Sequence, residues 1–212
     1  MRVIGVRLTV KGKIATSNLL IVSNHQGMID SLLHMALSPC MVISNTDIKS
    51  MKVIGKIMGL LGFVFVDRSR RKSIKELLAP TVRMITKAKV NMSFFPEGKS
   101  NNGIDIHPFK APFFKIAIAS NSGVQPIAFR WTHANGRRLS KEQLRAFTYL
   151  VTDGSAIQHL INILGLRKKR LHVKVLSEIT PEEISKKDWT RKDVSQQSET
   201  NIRKALLEND WY

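Results

Sequence analysis

The sequence predicts one layered α/β domain with a mixed, largely parallel central sheet flanked by helices. Apolar runs of strand length alternate with amphipathic stretches of helical length, the pattern that builds a parallel sheet with helices on its faces. A chain of 212 residues, 43% hydrophobic and 24% charged, is long enough to bury one good core and short for two. No repeat and no Pro-, Gly- or Ser-rich linker divides it, so residues 1–212 are expected to form a single domain.

Each element has a local reason. Val3 to Val10 and Leu19 to Ser23 are strand-like, with Lys11-Gly12-Lys13 as the turn between them. Ile29 to Leu37 is helical in pattern and ends before Pro39. Met41 to Ser44 reads as a short buried strand, Lys52 to Leu61 as a helix, and Phe63 to Val66 as a strand bounded by Gly62 and Asp67. Ser73 to Ala88 carries Ile74, Leu77, Leu78, Val82 and Ile85 at helical spacing, and Pro80 is expected to kink that helix or mark its start. Val90 to Phe95 is a strand, and Pro96 to Pro108 a loop rich in Gly, Asn and Asp. Phe109 to Ala119 reads as a helix, Val124 to Phe129 and Leu171 to Leu176 as strands, and Pro181 to Tyr212 as polar and helical.

Composition narrows the partners. The single cysteine, Cys40, forms no internal disulfide and reads as a buried filler rather than a nucleophile. Lys and Arg number 34 against 16 Asp and Glu, a formal net charge of +18 that calls for an anionic partner. The basic clusters (Arg68, Arg70, Arg71, Lys72; Arg167, Lys168, Lys169, Arg170) follow apolar stretches without interleaved aromatics. That favours an anionic membrane surface over nucleic acid, which would want stacking platforms. No apolar run reaches the roughly 18 residues of a membrane span, and no secretory signal is evident, so peripheral attachment at the cytoplasmic face of a membrane is expected.

Three loops each follow a strand-like run and present polar groups. The first carries Asn24, His25 and Asp30; the second Asp67 and Arg68; the third Glu97, Gly98, Lys99 and Ser100. Loops at the carboxyl ends of parallel strands converge on one crevice. A carboxylate bonded to one imidazole nitrogen fixes the tautomer and makes the other nitrogen a better base. Gly27 permits the bend that lets His25 and Asp30 meet. Arg suits an anion because its planar fork bonds two oxygens at once. No nucleophile elbow, metal-ligand spacing or Walker-type loop is present, so no metal is expected. His34, His107, His133, His159 and His172 have no partner at recognisable spacing and read as structural or surface residues. Ser100 reads as a turn residue.

Taken in order, these segments resemble the glycerolipid acyltransferase family, which includes the glycerol-3-phosphate and lysophosphatidic acid (1-acylglycerol-3-phosphate O-) acyltransferases. The family's Asn-His followed by four residues and Asp is met by Asn24, His25 and Asp30. Its Gly and aromatic leading to Asp-Arg is met by Gly62, Phe65, Asp67 and Arg68, and its Phe-Pro-Glu-Gly by Phe95, Pro96, Glu97 and Gly98. Its apolar strand around a Pro is met by Val124, Pro126 and Ile127, and Phe109-Lys110 stands where a Phe-Lys is common. The motif-bearing core is thus about residues 3–130, with 131–212 an extension.

The resemblance implies a glycerol-3-phosphate acyltransferase-like fold and direct acyl transfer from acyl-CoA or acyl-acyl carrier protein to a lyso-lipid hydroxyl, with no further cofactor. His25 would be the general base and Asp30 its orienter. Arg68, Glu97, Gly98, Lys99 and Asn24 would bind substrate, Arg68 taking the acceptor's anionic head group. The implied acceptor is 1-acylglycerol-3-phosphate, giving phosphatidic acid. Where many relatives continue Glu-Gly-Thr-Arg-Ser, this chain has Glu97-Gly98-Lys99-Ser100, a continuation more like that of lyso-ornithine lipid acylation. A non-catalytic lipid-surface protein on the same fold is the alternative from another class. Met51 to Phe65 and Ala156 to Arg170 are candidate interfacial patches, apolar with flanking Lys and Arg.

Overall fold

The computed structural model describes residues 2–3, 5–14, 18–49, 52–67, 69–144, 148, 156–208 and 211. Its strands are β1 (Arg2–Val3), β2 (Val6–Lys11), β3 (Leu19–Ser23), β4 (Cys40–Asn45), β5 (Phe63–Val66), β6 (Asn91–Phe94), β7 (Gly123–Ala134), β8 (Arg137–Arg138) and β9 (Lys169–Val175). They form one sheet in the order β1-β2-β9-β7-β3-β6-β4-β5, with β8 pairing β7. From β7 through β3, β6 and β4 to β5 every pairing is parallel. The pair β2–β9 is also parallel, whereas β7–β9, β1–β2 and β7–β8 are antiparallel. The sheet is therefore mixed and largely parallel.

The helices are α1 (Ile29–Leu37), α2 (Thr46–Lys49), α3 (Lys52–Leu60), α4 (Arg71–Thr86), α5 (Lys115–Ser120), α6 (Lys141–Leu144), α7 (Ala156–Gly165), α8 (Pro181–Lys186) and α9 (Arg191–Leu207). They cover both faces of the sheet, which explains why β3 is apolar at every position but its last. Leu19 and Ile21 join Leu33 of α1, Met58 of α3, Ile163 of α7, Phe129 and Leu171 on one face. Leu20 and Val22 join Phe94, Ile85 of α4, Ile116 of α5 and Ile184 of α8 on the other. Strands buried on both sides read as continuous apolar runs rather than alternating ones. A smaller cluster of Ala128, Ile202, Leu206 and Trp211 seats α9 on β7.

Some elements depart from expectation. Lys11-Gly12-Lys13 does not join neighbouring strands, because β9 and β7 lie between β2 and β3 in the sheet. β7 runs on past Phe129 to Ala134, since β9 pairs antiparallel along that extension. The helix expected from Phe109 begins only with a 3₁₀ turn at Pro112–Phe114. The amides of Phe109 and Lys110 are already taken by Glu199 Oε2 and the Pro96 carbonyl. Pro80 neither starts nor ends α4, but sits inside it on the exposed side.

Apolar side chains also reach solvent on two helices and their flanks. Ile57 and Leu60 of α3 are 51% and 89% exposed, with Leu61 following at 47%, and α7 exposes Ile161 and Leu164. No helix among the described residues is long and apolar enough to cross a membrane. Met51 lies outside the described residues.

Candidate active site

β3, β5 and β6 point the same way, so the loops that follow them open at one end of the sheet. The loop after β3 runs into α1, whose first turn carries Asp30. The buried Oδ2 of Asp30 accepts from the amides of Gln26 (2.5 Å) and Gly27 (2.9 Å) and from Nδ1 of His25 (2.9 Å). Three donors on one oxygen hold the carboxylate rigidly, and because Asp30 accepts from Nδ1–H, the basic nitrogen of His25 is Nε2. The His25 side chain is 21% exposed, so substrate can reach it.

Rings behind His25 fix its plane. Phe95 stacks on His25 with centroids 4.1 Å apart and planes 17° from parallel, and on His34 at 4.8 Å and 20°. His34 is fully buried on α1, one helical turn after Asp30. The Ser23 hydroxyl donates to the Asn24 carbonyl (2.9 Å), so it accepts from Nε2–H of His34 (2.8 Å). Nδ1 of His34 is left without a partner. Burial first, and then the charge of His25, push the His34 pKa down to about 3, so this ring is neutral. His34 was expected only as a structural or surface residue; its i,i+4 relation to Asp30 was the signal that could have placed it behind the site.

Asn24 and Glu97, expected to bind substrate, spend their polar atoms on the chain itself. Asn24 Nδ2 donates to the Phe129 carbonyl (3.0 Å) and its Oδ1 accepts from the Phe129 amide (2.8 Å). The amide group thereby continues the β3–β7 ladder one step past Ser23. Glu97 is 1% exposed; its Oε1 accepts from the His25 amide (2.7 Å) and Asn101 Nδ2 (2.8 Å), and its Oε2 from the His107 amide (2.7 Å). The Asn101 amide donates in turn to the His25 carbonyl (2.8 Å). Burial raises the Glu97 pKa to about 7 against the lowering effect of these donors. Glu97 thus ties the third loop to the first.

Gly98 has φ +77°, a left-handed conformation that glycine adopts without strain, and a side chain there would press on Lys110 Nζ at 3.0 Å. Lys99 is exposed beside it. Arg68 lies outside the described residues, but its neighbour Asp67 accepts from the amide (3.0 Å) and hydroxyl (2.5 Å) of Ser69. Those bonds to Ser69 lead in holding the Asp67 pKa below its ordinary value. Cys40 is buried, and burial pushes its thiol up to about 11. Among the described residues no hydroxyl or thiol is hydrogen-bonded to His25. The arrangement can therefore take a proton from a bound hydroxyl at Nε2.

Comparison with known proteins agrees in fold and in sequence. The family model described as Acyltransferase matches residues 6–130. A 1-acyl-sn-glycerol-3-phosphate acyltransferase of Neisseria gonorrhoeae is 30% identical over 125 residues, covering 59% of this chain and 49% of the relative. A lyso-ornithine lipid O-acyltransferase of Brucella abortus is 30% identical over 175 residues, covering 77% of this chain and 63% of the relative. The chain therefore spans about half to two thirds of the length of these curated relatives. The crystal structure of the 1-acyl-sn-glycerophosphate acyltransferase PlsC of Thermotoga maritima superposes with a TM-score of 0.65 at 16% identity, over 97% of this chain and 73% of that one. That likeness is one of fold.

Proposed function

This chain belongs to the acyltransferase family, and from that premise we propose that it moves a fatty acyl group from an acyl thioester to the hydroxyl of a lyso-lipid. One observation carries the reading: Asp30 holds His25 by Nδ1, which leaves Nε2 as the basic nitrogen of a partly exposed side chain at the carboxyl end of a buried strand. Nε2 takes the proton of the acceptor hydroxyl as its oxygen attacks the thioester carbonyl. The tetrahedral intermediate then expels the thiolate, which recovers that proton from the imidazolium, and an ester remains. Asp30 stabilises the transient charge on His25. The buried, neutral Cys40 is no candidate for an acyl-enzyme.

The other residues position this base. Glu97 and Asn101 clamp the backbone of His25 from both sides, and Phe95 and His34 support its ring. Lys99, together with Arg68, supplies cationic charge for the acceptor's head group, and 1-acylglycerol-3-phosphate is the first acceptor proposed. A second, lyso-ornithine lipid, is favoured by the longer alignment with the enzyme named for it and by Lys99-Ser100 after Glu97-Gly98. Acceptor and product are amphiphiles, so the protein docks on an anionic membrane surface. Ile57, Leu60 and Leu61 beside the exposed Lys56 suit that interface.

The test is turnover of acyl-CoA and of acyl-acyl carrier protein with both acceptors. His25→Ala and Asp30→Asn should lower kcat by about 10²- to 10⁴-fold, the usual worth of general-base assistance. Equal, zero turnover by wild type and His25→Ala with every acceptor sinks the proposal.

A further inference from the structure

Four strands gather cations at the end of the sheet where His25 opens. β7 is parallel to β3, β9 antiparallel to β7, and β2 parallel to β9. The last residues of β3 and β7 and the first of β2 and β9 therefore lie at one end. There Arg7 of β2 stands opposite Arg170 of β9, Arg170 opposite His133 of β7, and His133 opposite Arg138 of β8. Like charges so placed destabilise a sheet, and an anion among them relieves the repulsion. Burial first, then the charges of Arg170 and Arg138, hold the His133 pKa below its ordinary value, a mark of positive field. Among the described residues no carboxylate is paired with Arg7, Lys168 or Arg170.

Part of this row lines a concavity. A cavity of about 520 Å³ has Gly5, Arg7, Gly136, Lys168, Lys169 and Arg170 in its walls. Arg7 and Arg170 alternate with the buried Val6, Leu8 and Leu171, so they project from the face away from the core cluster of Phe95. Lys169 projects from the other face, where its Nζ donates to the Ile163 (2.9 Å) and Leu164 (3.3 Å) carbonyls at the end of α7. With walls from both faces, the cavity wraps round the end of the sheet. Lys169 is committed to α7, which leaves Arg7, Lys168 and Arg170 for a ligand. Lys168 holds φ +45°, left-handed backbone that costs a residue other than glycine.

The neighbouring helix supplies the other half of an amphiphile site. Ile161 and Leu164 of α7 are exposed, and three residues apart they share one side of the helix. The Leu164 carbonyl touches Lys169, so this apolar strip begins where the cavity wall ends. A concave cationic site beside exposed hydrocarbon fits one molecule with an anionic head and apolar chains. We propose that the cavity holds the head group of a single anionic phospholipid, its phosphate between Arg7, Lys168 and Arg170 and its chains along Ile161 and Leu164. The proposal rests on the membrane docking described above and deepens it, from attraction to a surface to one bound lipid. A soluble phosphate would leave the apolar strip unused. A lipid held here draws this end of the sheet onto the bilayer, where the partly exposed His25 meets acceptors of the same leaflet.

The probe is dihexanoylphosphatidylserine, an anionic lipid with no free hydroxyl to acylate, titrated by calorimetry into the whole protein below its micelle concentration. Arg170→Gln and Lys168→Gly should each weaken its binding by about tenfold, the worth of one charge-assisted bond. Glycine at 168 removes the charge while relieving the backbone, so misfolding does not explain its effect. Leu164→Gln should weaken the lipid about fivefold through lost apolar contact, and leave the weaker binding of glycerol 3-phosphate unchanged. On vesicles of phosphatidylcholine and phosphatidylserine, both cavity variants should lower co-sedimentation about tenfold. Arg191→Gln, at the distant start of α9, should change it by less than about twofold. The proposal is overturned if the wild type does not bind the short-chain lipid or if both cavity variants bind it unchanged. It is overturned equally by glycerol 3-phosphate binding as tightly as the lipid, which marks a soluble-phosphate site. A loss with Arg191→Gln as large as theirs also overturns it, as bulk charge alone. If the wild type binds no vesicles, the membrane docking fails, while the monomeric lipid still decides the cavity.

Discussion

His34 and Glu97 stand behind His25 and respond to protons in opposite senses. Glu97 is raised from its ordinary 4.5 to about 7, so the folded state favours its neutral form. Its contribution to stability is full below pH 4.5 and is lost as pH rises to about 7. His34 is lowered from 6.5 to about 3, so the folded state refuses its charge, and stability is lost as pH falls from 6.5 towards 3. Each slope is at most about 1.4 kcal/mol per pH unit, and between pH 4.5 and 6.5 they cancel. Urea unfolding of wild type, His34→Leu and Glu97→Leu across that window should separate them. Relative to wild type, His34→Leu should lose stability as pH rises and Glu97→Leu as pH falls; parallel curves for all three would refute the pairing. The spacing of His25 and Asp30 in the sequence was enough to bring them into consideration as a pair. The ring column was not legible, because Phe95 meets His25 and His34 meets Phe95 only once β3, β6 and α1 have packed.

Among the elements, α4 is the one whose sequence argues with its structure. Pro80 lies ten residues into Arg71–Thr86, where it removes the hydrogen bond to the Glu76 carbonyl and crowds the preceding turn. Leu77, Leu78 and Ile85 pack on the second core cluster on either side of it, and that burial holds the helix together across the break. Pro80 itself is exposed, so Pro80→Ala removes no packing. That substitution should raise stability by about 1–3 kcal/mol, read as a higher urea midpoint at unchanged m-value. A lower midpoint would mean that the bend is needed for the contacts of α4. The start of α9 went unread inside the polar stretch from Pro181, where the structure shows Thr190 and Asp193 forming a reciprocal capping box. The run-on of β7 past Phe129 was hidden, since Arg130, Thr132 and His133 lack the apolar alternation of a strand and gain their order from β9.

At the scale of the molecule, the proposed membrane docking draws on a net charge of +18 and on the exposed apolar residues of α3 together. Leu60 is 89% exposed, so Leu60→Glu should leave the thermal midpoint within a few degrees of wild type. The same change should lower co-sedimentation with vesicles containing anionic lipid about tenfold or more, by losing apolar insertion and adding a repelled charge. Undiminished binding would show that α3 faces away from the bilayer. The parallel half of the sheet was legible because its strands are short apolar runs separated by helices. In the other half the strands from Val3 to Val10 and from Leu171 to Leu176 were legible as runs, but their order was not, because they owe their place to partners distant in sequence.

One of those partnerships reaches across almost the whole chain. β9 fills the gap between β2 and β7, and its first residue, Lys169, lies in register with Val6. During synthesis the nascent chain extrudes β2 first, yet its place in the sheet does not exist until β9 has followed. Within residues 6–130, the stretch of the family match, β2 has neither of its sheet neighbours, since β1 and β9 both lie outside it. Closing so long a loop is slow more than it is unfavourable. Until then two strand edges wait unpaired, an aggregation hazard that lasts as long as β9 is missing.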